Sequence, residues 1–153
     1  MFATIISRDL TQRPPHSPRD RLNGFVIALR AVDKCRATIN GTQGEYHFAC
    51  PLDQQLFTFK GITAEQFKEA VHNTENYECV GAWLMAHGTH QSLADIKKWS
   101  DQMETYSLIN DNDPAKRTAF IENCTKLGLD PKKATLFDWL EADDRASFKG
   151  NKA

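Results

Sequence analysis

Between Thr63 and Leu140 the chain keeps repeating one arrangement. A side chain able to cap a helix is followed by an apolar stripe at three- and four-residue spacing, and then by a glycine or proline. That rhythm constrains the fold strongly, because 3.6 residues per turn put positions i, i+3, i+4 and i+7 on one face of a helix. Thr63, with Gln66 three residues on, makes a capping-box pattern ahead of the stripe Phe67, Ala70 and Val71. A second helix is expected over about 75–86, with Val80, Trp83 and Leu84 inward and Gly88 as its stop. Ser92 and Asp95 open a third, carrying Leu93, Ile96, Trp99 and Met103. Asp113-Pro114 starts another, whose stripe is Ala119, Phe120, Cys124 and Leu127 and whose stop is Gly128. Thr135 caps a last helix with Leu136, Trp139 and Leu140 inward. No alternation of apolar and polar residues is long enough to build a sheet.

The first sixty residues are less regular. Pro14, Pro15 and Pro18 exclude a helix or a central strand and make an extended lead-in. Asn23-Gly24 reads as a turn. Beyond it Ile27, Ala31, Val32, Cys35 and Ile39 recur at helical spacing, ending near Asn40-Gly41. Glu45 to Ala49 reads as a short strand or an extended loop, and Pro51 as the first position of a helix carrying Leu52, Leu56, Phe57 and Phe59. The expected architecture is all-α: a compact single-domain bundle of about six helices with an irregular loop near 41–50. Residues 1–16 form its lead-in and 148–153 a frayed tail.

Composition narrows the function classes. The 153 residues are 41% hydrophobic and 25% charged, which is ordinary for a globular chain and argues against disorder. A net charge of −1 argues against a nucleic-acid partner, and no basic face suggests a helix-turn-helix reader. The longest apolar run, Phe25 to Leu29, is far too short to span a membrane, and the first ten residues lack the pattern of a signal peptide. The expectation is a cytoplasmic chain with no membrane association. Cys35, Cys50, Cys79 and Cys124 form no CxxC pair and read as free thiols, most of them buried.

Two stretches concentrate reactive side chains. In RAVDKCRA, Arg30, Asp33 and Arg36 lie three apart, so both arginines could reach one carboxylate on the helix surface. One reading is a partly buried ion network; the other is an anion site presenting Arg30, Lys34 or Arg36 to a carboxylate or phosphate. In GEYHFACPLD, Glu45, Tyr46, His47, Cys50 and Asp53 bring acids, phenol, imidazole and thiol together. If 45–49 is extended, Glu45 and His47 share a face, and with Cys50, Asp53 and Asp33 they could hold zinc or iron. Against this stands the single histidine in the cluster. Cys50 just ahead of a helix could instead be a nucleophile, with His47 as base and Asp53 or Glu45 orienting it. The plainer reading makes Cys50 a core residue and Asp53 an acceptor for first-turn N–H groups. Trp83, Trp99 and Trp139 read as core, and Lys132-Lys133 and Asp143-Asp144-Arg145 as solvated surface.

The strings SPRDRLNG, RAVDKCRA, GEYHFACPLDQQLF and FKGITAEQF, in this order, resemble a family of small bacterial proteins known as domain of unknown function 5069. The resemblance covers most of residues 17–100 and is most specific in the GEYHxxCPLD stretch. It implies a helical single domain and transfers no activity. The residues themselves favour a non-enzymatic domain that binds a small anionic molecule or a protein partner. Its site would be built by Arg30, Asp33, Lys34, Arg36, Glu45, Tyr46 and His47, with no resident metal or cofactor. The alternative is a small enzyme using His47, Cys50 and Asp53, or a metal near Glu45 and His47. Both readings need the two stretches to meet at one solvent-reachable hollow between helices.

Overall fold

A computed structural model describes residues 7–148, so the first six residues of the expected lead-in, and residues 149–153 of the expected tail, lie outside the described residues. Among those described, seven α-helices follow one another: α1 (Ala28–Asn40), α2 (Pro51–Lys60), α3 (Ala64–His72), α4 (Tyr77–Ala86), α5 (Leu93–Glu104), α6 (Pro114–Lys126) and α7 (Leu136–Ser147). A 3-10 turn, Leu108–Asn110, precedes α6. The all-α expectation holds. Among the described residues no helix is long and apolar enough to cross a membrane.

Entry into α1 is controlled by Asn23-Gly24. Leu22 and Phe25 exchange backbone hydrogen bonds of 3.0 and 2.9 Å across the pair, and both turn residues have positive φ. That is the geometry of a two-residue hairpin turn, which glycine enters without steric cost. A Cβ on Gly24 would also lie 3.2 Å from a methyl of Ile96. Because the turn consumes Phe25 and Val26, α1 starts at Ala28, later than the apolar spacing suggests. Ile27 bridges turn and helix at φ 76°, a costly conformation for a β-branched residue. It is held by complete burial and by a 2.9 Å bond from its N–H to the Pro18 carbonyl.

The helix boundaries otherwise follow the capping chemistry. Both halves of the Thr63–Gln66 box form, and Thr135 makes a second box with Asp138. Asn76, Ser92 and Asp113 cap α4, α5 and α6 through their side-chain oxygens. Three details differ from the sequence reading, one being that Ala119 is exposed and the buried positions of α6 are Phe120 and Cys124. α4 ends on an extended His87, and Gly88 lies one position further, where a Cβ would come within 2.1 Å of the Lys60 carbonyl oxygen. Leu93 is 72% exposed, since the inward positions of α5 are Ile96 and Ser100, with Trp99 and Met103 partly buried.

The main core gathers the turn before α1, one face of α1, and residues of α2–α5 and α7. Phe57 and Phe67 lie 5.1 Å apart at its centre, and Trp99 stacks on Phe59 at 4.6 Å. A smaller cluster joins Phe120 and Cys124 of α6 to Ala134, with Leu108, Ile109 and Trp139 around it.

Candidate functional site: a buried charged face on the first helix

α1 is buried on two sides. Ala28, Ala31, Val32 and Cys35 face the apolar core, while Arg30, Asp33 and Lys34 are only 4%, 1% and 3% exposed on another side. Buried charges are tolerated only when paired and hydrogen-bonded. Each of these three has its own partner, supplied by a different part of the chain.

Asp33 is served by the lead-in and by α4. Its Oδ2 accepts from the ring Nδ1 of His16 at 2.6 Å and from the His16 backbone N–H at 2.8 Å. Its Oδ1 accepts from the Tyr77 hydroxyl at 2.5 Å. The guanidinium of Arg8 is 3.7 Å away and also approaches His16 Nε2 at 3.3 Å. A carboxylate can only accept, so these partners put the proton of a neutral His16 on Nδ1 and leave a lone pair on Nε2. Burial alone would raise the Asp33 carboxyl, but the hydrogen bonds from His16 and Tyr77 outweigh it and hold the group below its usual value. Burial and the same hydrogen bond push the Tyr77 phenol well above its ordinary value. The lead-in is anchored next to this point by Ser17, which donates to Glu141 at 2.7 Å. Arg19 adds bonds to Asp138 and Glu141.

Arg30 reaches α7 instead. Its two terminal nitrogens bond the two oxygens of Asp144 at 2.7 and 3.2 Å, a bidentate fork, and one also donates to the His16 carbonyl at 3.2 Å. Tyr46 lies beneath the guanidinium at 5.5 Å and donates to Asp144 at 2.8 Å. Its phenol is raised by burial and by that carboxylate. Lys34 turns to α2: its Nζ is 3.0 Å from Asp53 Oδ2 and 3.3 Å from Cys50 Sγ. Asp53 Oδ2 also accepts the N–H of Ala49, one residue ahead of the cap, at 3.0 Å rather than an N–H of the first turn, while among the described residues its buried Oδ1 has no partner.

Several expectations are corrected by this arrangement. Asp33 does not bridge Arg30 and Arg36. Those arginines are six positions apart, hence about 120° apart around the helix, and Arg36 caps the end of α3 by donating to the Val71 and Thr74 carbonyls at 2.7 and 2.8 Å. The 44–50 segment forms turns, with Gly44 and Ala49 at positive φ, rather than a strand. Glu45 and His47 are both exposed, and among the described residues neither makes a hydrogen bond or ion pair; only Tyr46 between them turns inward. His47 therefore does not sit on Cys50; Lys34 does. Among the described residues no three His, Cys, Asp or Glu side chains are grouped to hold a metal.

The two stretches touch, but in two separate contacts among buried charges, Lys34–Cys50–Asp53 and Arg30–Tyr46–Asp144, rather than at the one solvent-reachable hollow expected. Arg8, His16 and Tyr77 were not singled out from sequence, and Asp144, expected on a solvated surface with Asp143 and Arg145, is instead buried because Arg30 and Tyr46 hold its carboxylate. Asp144 carried a usable signal, because it lies seven residues after the buried Phe137 on the same face of α7. The others carried none.

Fold and site together define an all-helical protein organised round a row of individually paired buried charges on its first long helix. The chain belongs to the family described as Domain of unknown function (DUF5069), whose model matches residues 12–146. That stretch takes in every residue of the charged face except Arg8, and it extends beyond the motifs of residues 17–100. A comparison with curated proteins finds no match.

Proposed function

We propose that the chain binds a small anionic molecule at the His16 end of the charged face and moves a proton on it. The observation that carries this reading is the 2.6 Å contact between His16 Nδ1 and Asp33, which leaves Nε2 turned toward Arg8. A carboxylate locks the imidazole in one tautomer and fixes its orientation, as a proton-transfer histidine requires. Tyr77 fixes the carboxylate in turn. Arg8 and His16 are each about a quarter exposed, so this is where the buried row reaches solvent. An arginine there offers a planar fork to a carboxylate or phosphate and would seat it beside Nε2.

The reading keeps the small-anion chemistry suggested by the sequence and moves the cation. Arg30 and Lys34 hold Asp144 and Asp53 and are buried, and Arg36 holds α3, whereas Arg8, which donates to the Pro14 carbonyl at 3.1 Å and lies 3.7 Å from Asp33, keeps part of its guanidinium side chain open to solvent. The test is an NMR titration of the imidazole signals with inorganic phosphate and, separately, acetate. Saturable shifts at His16 are expected, absent in Arg8→Ala while the rest of the spectrum stays folded. Shifts that survive Arg8→Ala, or no saturable shift with either probe, would remove the proposal.

A further inference from the structure

The Lys34–Cys50–Asp53 group plays no part in that site. It brings a primary amine, a thiol and a carboxylate together from α1, the residue that caps α2, and the first turn of α2. We propose that Lys34 and Cys50 are a redox-made crosslink: peroxide joins Nζ to Sγ through one oxygen atom and staples α1 to the start of α2.

Three observations converge on this pair. Nζ lies 3.3 Å from Sγ, and among the described residues this is the lysine whose ammonium contacts a cysteine sulfur. Cys50 is only half-buried, so a small oxidant reaches it, whereas Lys34 is held in place by burial and by Asp53. Among the described residues the buried Asp53 Oδ1 has no hydrogen-bond partner, so the carboxylate that holds the ammonium has acceptor capacity left for the proton the nitrogen must lose. The other cysteines lack this setting: Cys79 is half-buried like Cys50, but among the described residues no lysine ammonium contacts its sulfur. Cys35 is buried with its thiol pushed up to about 12 by desolvation, and the buried Cys124 is raised for the same reason.

The chemistry balances with two equivalents of hydrogen peroxide. In the first step Sγ attacks one peroxide oxygen, the O–O bond breaks, and the thiol becomes a sulfenic acid with release of one water. In the second, the sulfenic oxygen bonds to Nζ. The S–O–H and one amine N–H each give up a hydrogen, and the second peroxide takes both and leaves as two waters. Sulfur and nitrogen are oxidised and peroxide is reduced. The product differs from the reduced pair by one oxygen gained and two hydrogens lost. An oxygen-bridged product suits the observed spacing: it needs only a slight approach of the two atoms, whereas a direct sulfur–nitrogen bond would require the separation to halve.

The experiment treats the intact protein with hydrogen peroxide and reads whole-protein mass, a tryptic peptide map and the melting temperature, before and after a reducing thiol. Expected are a gain of one oxygen less two hydrogens, and a joined peptide holding Lys34 and Cys50 with no tryptic cut after Lys34. The melting temperature should rise, and a reducing thiol should reverse all of these changes. Lys34→Arg keeps a cation for Asp53 but has no primary amine. It should lose the crosslink and let Cys50 run on to the sulfinic acid. Simple oxygen additions confined to Cys50 in the wild-type chain, a direct sulfur–nitrogen product, or an unchanged mass gain in Lys34→Arg would overturn the assignment. If Lys34→Arg fails to fold, the wild-type peptide map decides by itself.

Discussion

On one side α1 buries Ala28, Ala31, Val32 and Cys35; on the other it buries Arg30, Asp33 and Lys34 almost as completely. The apolar side packs against many neighbours, none of which it needs individually, because the hydrophobic effect is non-directional and scales with area. The charged side works by one-to-one assignment. Arg30 needs Asp144, Asp33 needs His16 and Tyr77, and Lys34 needs Asp53. Each partner comes from a different segment, so this side fixes where the lead-in, α2, α4 and α7 sit around α1. It also carries the groups with chemistry. A helix that wanted only stability would have used apolar residues on both sides, since buried ion pairs are often no better than well-packed hydrophobic ones.

The sharpest way to break this contrast is to remove one charge and leave its partner. Arg30→Ala strands the Asp144 carboxylate and should cost about 3–5 kcal/mol in urea unfolding. The paired replacement Lys34→Met with Asp53→Leu should be far milder than Lys34→Met alone, because both charges leave together. A paired variant as unstable as the single one would mean that shape, not charge, governs this side.

A deletion on the apolar side should be smaller and graded. Val32→Ala removes two buried carbon atoms and should cost about 2 kcal/mol, transfer and cavity together. A loss matching that of Arg30→Ala would erase the distinction between the two sides.

The smallest effect is expected on the acid limb of stability. Asp33 is held below its unfolded value, so its contribution is fully present above roughly pH 4 and is lost as pH falls through the native value. Asp33→Asn should flatten that limb relative to wild type when urea midpoints are compared from pH 6 down to pH 3. An unaltered slope would mean that Asp33 is not the ionised anchor of the lead-in.

Much of the fold was legible because its signals are local. Thr63 and Gln66, Ser92, Asp113-Pro114 and Thr135 mark helix starts through hydrogen bonds spanning two or three residues, and all of them form. Leu93 misled because spacing alone places it on the stripe of Ile96, while nothing within α5 records where the neighbouring elements end. The two reactive stretches drew attention to the right part of the chain, yet within them Glu45 and His47 face water. Their charge density was visible; the turn that sends Tyr46 inward instead was not.

The sequence by itself determined the all-helical class, the caps and the family, since each depends on residues a few positions apart or on ordered motifs. Tertiary structure alone decided which carboxylate each cation holds. Arg30 had Asp33 as a neighbour three residues away but pairs with Asp144, 114 positions along the chain. The geometry of a bidentate pair, and the need to satisfy every buried charge at once, override proximity in sequence when several partners compete for the same buried face.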